Sequence, residues 1–270
     1  MDKQKFEFTV PATLRLSSMV RNIGEEIFCM AGFSKSWCSR LKLVVDELYM
    51  NAVRYGSTEM KSHVSIEFFY DDTNAGFTIS DDGTGANHMT VSELKATVEA
   101  NANRNEVTST HGRGLALIAN LWTDGFVIDK SPQGGIRVAF TKKIVTTNPP
   151  PPPLMEFAVE MPAPEPKKAE PSLPKGPAVT VKLQGLSDQY DIGELFTPVF
   201  ERAESMPENA VLTLDMKEVD YINSTFVGHL AQVYNILNKK HGQVILANAN
   251  RDVRDVLDLV GLGRVMQIAA

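Results

Sequence analysis

Glu47 and Asn51 lie four residues apart in a run where Leu41, Val44, Leu48 and Ala52 recur at spacings of three and four. That period is helical, so the two polar side chains stack one turn apart on one face. A carboxylate and a carboxamide placed this way suit a metal-nucleotide. The amide oxygen is a hard ligand for Mg2+, and the carboxylate can orient or deprotonate a nucleophile. A solvated polar face on an amphipathic helix is the alternative. Two more stretches accompany the pair. Asp81-Asp82-Gly83-Thr84-Gly85 follows the alternating run Gly76-Phe77-Thr78-Ile79-Ser80, and His111-Gly112-Arg113-Gly114-Leu115-Ala116-Leu117-Ile118 opens a second predicted helix. Far along the chain, Ser224 falls where a strand gives way to a helix. Free N–H groups and the positive dipole end would tolerate a phosphate there; a serine N-cap is the alternative.

These groups need a scaffold. The chain has 270 residues, enough for about two domains. Its 43% hydrophobic and 22% charged content is that of a globular protein. A net charge of -6 argues against generic nucleic-acid or anionic-membrane binding. No apolar run approaches the roughly 20 residues of a membrane span. The charged start, Met1 to Phe6, lacks a signal-peptide core, so a cytoplasmic protein is expected. Cys29 and Cys38 flank a Gly-Phe-Ser turn without a CxxC or a nearby His, so reduced, partly buried thiols are expected rather than zinc ligands.

In order, the pattern predicts a strand over 6–10 ended by Pro11, then a helix over 13–31 with Leu14, Met19, Val20, Ile23 and Ile27 as buried candidates. Arg15 and Arg21 are expected to be solvated, with partner contact through Arg21 as the alternative. Gly32-Phe33 stops that helix, and Ser34 caps the central one. Strands 64–70 and 76–80 flank a turn at Asp71-Asp72-Thr73-Asn74. An amphipathic segment and a polar run, 101–110, precede the helix at 114–121, and the polar run reads as a lid. Strands 126–128 and 136–140 flank Pro132-Gln133-Gly134-Gly135 and complete an α/β sandwich with a mixed sheet, over 1–146.

Residues 148 to 177 carry 11 of the 15 prolines. The linker, 147–177, cannot build a core and favours polyproline II, reaching up to about 90 Å. Leu154, Met155, Phe157 and Val159 are unusual for a spacer, and weak docking on one domain is an open reading. The remainder, 178–270, alternates strands at 179–183, 211–215 and 244–247 with helices at 191–204, 224–240 and 252–260. That alternation predicts an α/β domain with parallel strand pairs. Pro198 is an awkward helix member.

Order and spacing of the first three stretches resemble the N box (ExxxN), DxGxG box and GxGL box of the GHKL ATPase superfamily. Through the helix over 13–31, Gly32-Phe33-Ser34 and the run from Asp46-Glu47 to Asn51-Ala52, residues 1–146 are more similar to its serine-protein kinase anti-sigma factors than to histidine kinases, whose dimerisation helix with a phosphoaccepting histidine is not expected here. His88 and His111 lie instead in loops near the nucleotide. The resemblance implies ATP and Mg2+, with Asn51 as the Mg2+ ligand and Glu47 orienting or deprotonating a protein serine. It implies that Asp81 accepts from the adenine amino group and that Gly83 and Gly85 let the chain pass close to base and ribose. Gly112 and Gly114, in the box with Leu115, would offer N–H groups to phosphates. Arg113 and Arg54 would add positive charge, with ordinary surface exposure as their alternative.

Residues 178–270 resemble the STAS fold of anti-sigma factor antagonists, through strand order, the Gly185-Leu186-Ser187-Asp188 turn and the strand-serine-helix junction. The family's phosphorylated serine lies in D-S-[ST]-G; here it becomes Asn223-Ser224-Thr225-Phe226. Asn223 removes a charge beside the acceptor, and Phe226 is expected to put a large ring where a partner approaches. The two resemblances together imply a protein serine kinase and anti-sigma-type regulator acting by partner switching, on Ser224 in cis or on a separate STAS protein in trans. The alternative is a non-catalytic, ATP-binding sequestering factor whose STAS domain is a fixed interaction module. A sigma factor or other regulatory target is the expected partner, and a homodimer the expected assembly, without direct nucleic-acid or membrane contact.

Overall fold

The computed structural model describes residues 3–102, 122–148, 177–184 and 192–269. The glycine-rich run from Gly112 to Leu115 with Arg113, most of the polar run before it, the Gly185 to Asp188 turn and nearly all of the linker lie outside them. Contacts divide the chain into two compact units, one holding described residues 3–148 and the other 177–269.

The first unit is built on five strands: β1 (Gln4–Pro11), β2 (His63–Tyr70), β3 (Asn74–Ser80), β4 (Gly125–Lys130) and β5 (Ile136–Lys143). Their order is β1-β2-β3-β5-β4, and each pair is antiparallel. The β2–β3 turn closes on Asp71, whose Oδ1 accepts from the Thr73 and Asn74 N–H groups, both at 2.8 Å. That local bonding is what Asp and Asn bring to turns. Three helices complete the described unit: α1 (Ser17–Met30), α2 (Lys35–Asn51) and α3 (Val91–Ala102). Phe28 of α1 meets the rings of Phe68 on β2 and Phe140 on β5, each at 6.0 Å, and Phe68 meets Phe77 at 4.8 Å. All four rings are fully buried, so helices and sheet share one aromatic core.

The first helix differs from expectation. A 3-10 turn occupies Leu14–Leu16, and α1 buries Ser17, Val20, Arg21, Gly24, Ile27 and Phe28. Met19 is exposed, and Leu14 and Ile23 are only half-buried. Arg21 is neither solvated nor a surface for partners. It is buried between α1 and α2, where Nη1 lies 3.4 Å from Asp46 Oδ1. The thiol expectation is also corrected. The turn after α1 folds α2 back along it, bringing the Cys29 and Cys38 Cα atoms to 5.7 Å, and the two are joined as a disulfide.

The second unit has four parallel strands in the order β6-β7-β8-β9: β6 (Ala178–Gln184), β7 (Val211–Glu218), β8 (Gln243–Ala247) and β9 (Gln267–Ile268). Between them run α4 (Ile192–Ser205), α5 (Ser224–Asn238) and α6 (Arg251–Leu259). Pro198 lies inside α4. Lys240 finishes α4 from a distance: its Nζ donates to the carbonyls of Ala203 and Glu204 in the last turn and of Met206 just beyond it.

Candidate functional site

Helix α2 carries both Glu47 and Asn51. Ser34 caps it, its hydroxyl accepting from Trp37 N–H, and the stripe of Leu41, Val44, Leu48 and Ala52 is buried. The opposite side is tied down by polar contacts. Ser17 Oγ donates to Asp46 Oδ1 at 2.5 Å, within the buried Arg21–Asp46 pair, one residue before Glu47. Tyr49 Oη donates to the Thr13 carbonyl at 2.8 Å. Burial pushes this phenol's pKa up to about 12, against the opposing effect of its Thr13 bond.

Glu47 and Asn51 meet as their spacing requires: Asn51 Nδ2 donates to Glu47 Oε1 at 3.1 Å. Both are half-buried. Immediately beyond Asn51 the helix widens into a π-helical turn, Ala52–Gly56, a distortion that recurs at functional sites. The turn sends Tyr55 to the wall of a cavity that Asn51 also lines. Burial raises the Tyr55 pKa, with the Glu47 charge adding to the rise and that of Arg54 opposing it. Arg54 is half-exposed on the same turn.

The cavity is mainly apolar, walled by Leu48, Ile79, Met89, Leu94, Ile136 and Val138. Asp81, at the end of β3, is the buried carboxylate in that wall. Its Oδ1 accepts from Gly83 N–H and Ile136 N–H, each at 3.0 Å. Burial raises the Asp81 pKa; the two N–H bonds and the nearby His88 oppose the rise. A carboxylate whose first oxygen is held by backbone, in an otherwise apolar cleft, is an orienting acceptor for a ligand N–H group.

Absent side chains make the room. A Cβ on Gly56 would sit 2.2 Å from Asp81 Oδ2, one on Gly135 would sit 1.9 Å from Asp81 Oδ1, and one on Gly85 would sit 2.2 Å from the Tyr55 carbonyl oxygen. Gly83 adopts φ +69°, a left-handed value that favours glycine. Thr84 then locks this loop to the segment after α2: Thr58 N–H donates to Thr84 Oγ1 at 3.0 Å, and Thr58 Oγ1 donates to the Thr84 carbonyl at 2.9 Å. Gly85 and Gly83 thus shape the loop, Gly85 against α2's terminal turn and Gly83 by its backbone conformation.

Sequence reasoning passed over Tyr55, Gly56, Gly135 and the α3 wall of Leu94 and Thr97. The adjacency of Tyr55-Gly56 to the Glu47–Asn51 helix was the available signal. Nothing local marks Gly135 or α3, which reach the site only through sheet pairing and packing.

In the second unit Ser224 is the exposed first residue of α5. It does not cap the helix. Asn223 does, its Oδ1 accepting from Phe226 N–H at 2.9 Å while the residue is buried. The expectation for Phe226 is corrected as well. Its ring is 1% exposed and packs edge-on against Phe196 of α4 at 4.9 Å, so it faces the core and leaves the surface beside Ser224 clear of it. Asn250 steadies the approach to Ser224: its Nδ2 donates to the Val219 and Asp220 carbonyls, both at 3.0 Å, and its Oδ1 caps α6 through Val253 N–H at 2.8 Å.

Two family models match the chain. Residues 10–142 match the histidine kinase-like ATPase domain, and residues 174–270 match the STAS domain. No curated protein matches it.

Proposed function

We propose, from the premise that this chain joins a histidine kinase-like ATPase domain of the GHKL type to a STAS domain, that it is an ATP-dependent protein serine kinase of the anti-sigma-factor type acting by partner switching. The ATPase domain implies ATP binding. The observation that carries the reading is the shared cavity, which has Asp81 in its wall and Asn51, bonded to Glu47, on its α2 side.

In this reading Asp81 accepts the adenine amino hydrogen. Asn51 lines the cavity, and with its Nδ2 on Glu47 its Oδ1 is the hard oxygen it would give to Mg2+. Bound Mg2+ would neutralise charge on the phosphates. Gly112, Gly114, Arg113 and Leu115 supply phosphate contacts, with Arg54 as a second cation. Glu47 orients the incoming serine and takes its proton. The serine oxygen bonds to the γ-phosphorus as the bond to the bridging oxygen breaks, leaving ADP.

The STAS domain is the internal antagonist, and Ser224 its phosphoacceptor. A tether gives an effective concentration on the order of mM when it spans the sites. A phosphate would add roughly two negative charges at the start of α5 and release the contact. The regulated partner is a sigma factor or similar target, the kinase a homodimer, and the compartment the cytoplasm. Among the described residues no helix is long and apolar enough to cross a membrane.

A second reading, a sequestering factor whose STAS module is fixed, is favoured by one feature: the capping position before Ser224 holds neutral Asn223. Intact-mass measurement after incubation with Mg-ATP separates the two. One added phosphate on Ser224, absent in Glu47→Ala, Asn51→Ala and Ser224→Ala, supports the cis kinase. Retained ATP binding without any phosphate sinks it and leaves a trans substrate or pure sequestration.

A further inference from the structure

Cys29 lies in the last turn of α1 and is exposed, whereas Cys38 lies at the start of α2 and is fully buried. The disulfide between them closes a turn that other bonds already hold. Ala31 N–H donates to the Ile27 carbonyl at 2.9 Å, Gly32 N–H to that of Cys29 at 3.1 Å and Phe33 N–H to that of Phe28 at 3.3 Å. Gly32 takes φ +100°, the left-handed stop of a helix C-terminus. Ser34 caps α2, and the Phe28 and Phe33 rings meet edge-on at 6.0 Å. Lys42 Nζ reaches Glu25 Oε2 across the two helices at 2.7 Å, and the Arg21–Asp46 pair fastens their other end. None of these contacts needs the sulfur–sulfur bond. Cys38 also has a place for a proton: its Sγ lies 3.7 Å from the Phe33 carbonyl oxygen, to which a thiol S–H can donate. Both oxidation states therefore leave the buried sulfur accommodated and the helix pair fastened.

We infer that Cys29 and Cys38 form a reversible thiol–disulfide site, at which Cys29 exchanges with external thiols and Cys38 is the resolving sulfur. The inference goes beyond the function proposed above and uses none of its chemistry. It agrees with the cytoplasmic compartment proposed there, where disulfides are usually transient, catalytic or redox-sensing.

Exposure and electrostatics divide the roles. Cys29 is the exposed partner, so an external thiolate meets it first. Attack on Cys29 Sγ forms a mixed disulfide there and breaks the bond to Cys38, which leaves as a thiolate. The positive dipole end at the start of α2 stabilises that thiolate, and a better stabilised thiolate leaves faster. Cys38 then takes up a proton and donates to Phe33. A second external thiolate attacks the external sulfur of the mixed disulfide. Cys29 is released and protonated, and the two external thiols depart as their own disulfide. Two electrons have passed from them to the protein. Oxidation runs the same path backwards: the Cys29 thiolate attacks an external disulfide and expels one thiolate, and the Cys38 thiolate attacks Cys29 Sγ and expels the other.

These are the two cysteines of the chain, so its mass reads the site directly. The full chain is equilibrated, without denaturant, in mixtures of reduced and oxidised glutathione, then quenched with N-ethylmaleimide in denaturant and weighed intact. As the reduced share rises, the wild type is expected to pass from no added maleimide to two, and to return when oxidised glutathione is restored. Its near-ultraviolet circular dichroism is expected to stay native in both forms. Cys38→Ser removes the resolving thiol and should retain one glutathione on Cys29, whereas Cys29→Ser should take up glutathione far more slowly at the buried Cys38. A disulfide that opens only after denaturant unfolds the chain overturns the inference, as does a chain that stays reduced in oxidised glutathione or loses its native spectrum on reduction. Equal uptake by the two serine variants overturns the division of roles. The wild-type titration decides reversibility whether or not either variant folds.

Discussion

If Asp81 holds the adenine as proposed, Gly56→Ala should weaken nucleotide binding by pushing on that one carboxylate and leaving every other proposed ATP contact in place. The added Cβ would lie 2.2 Å from both Cγ and Oδ2 of Asp81 and 2.7 Å from its Cβ. Ordinary carbon contacts begin near 3.5 Å, so more than about 1 Å of movement is needed. Asp81 cannot swing away freely, because its Oδ1 holds the Gly83 and Ile136 N–H groups. Each hydrogen bond to a charged group contributes about 1.5–3 kcal/mol. In the proposed reading, losing one of them, or pulling the Tyr55-Gly56 turn off the cavity wall, would weaken base recognition by roughly 2–3 kcal/mol. That is about a hundredfold in Kd. Titration calorimetry with a non-hydrolysable ATP analogue gives the readout, and near-ultraviolet circular dichroism reports whether the fold persists. Gly228→Ala is the control: a Cβ there meets nothing within 4 Å, and it sits within α5. It should leave binding unchanged and stabilise its helix by about 0.5–1 kcal/mol. Analogue binding by Gly56→Ala within threefold of wild type would refute the argument that this glycine makes room for Asp81.

Three further expectations follow from the same contacts. Lys240→Met removes the Nζ donor from the carbonyls of Ala203, Glu204 and Met206; the second unit should lose about 1–3 kcal/mol in urea unfolding, and an unchanged midpoint would contradict this capping role. Tyr49 is held protonated in the fold with its pKa at about 12, above an unfolded value of about 10. Its stabilising contribution is therefore complete below about pH 10 and lost as pH rises toward 12, by roughly 2 kcal/mol; denaturation at stepped pH with Tyr49→Phe as reference checks this, and parallel curves for the two proteins would refute it. Asn223→Ala removes the α5 cap and should cost about 1 kcal/mol, whereas Asn223→Asp retains an accepting oxygen and should cost little; equal melting temperatures for the two variants would show that the cap contributes nothing.

The sequence by itself determined the parts of this protein whose physics is local. The spacing of Leu41, Val44, Leu48 and Ala52 specified α2 and placed Glu47 within reach of Asn51, because side chains four apart on a helix must be neighbours. Ser34 and Asp71 marked a cap and a turn because their side chains bond backbone only two or three residues away. Two α/β units with a proline-rich stretch between them were legible from period and composition alone.

Tertiary structure decided what each surface faces. Asp81 and Ile136 are 55 positions apart, yet β3–β5 pairing makes one an acceptor for the other and puts Gly135 against the same carboxylate. The π-helical turn, set where α2 meets the DxGxG loop, brings Tyr55 to the cavity. Arg21 reads as solvated until α2 supplies Asp46, and Phe226 reads as a surface ring until α4 supplies Phe196. A residue's own preferences cannot reveal these outcomes, because burial, charge pairing and room for a side chain depend on the atoms that the fold brings opposite it.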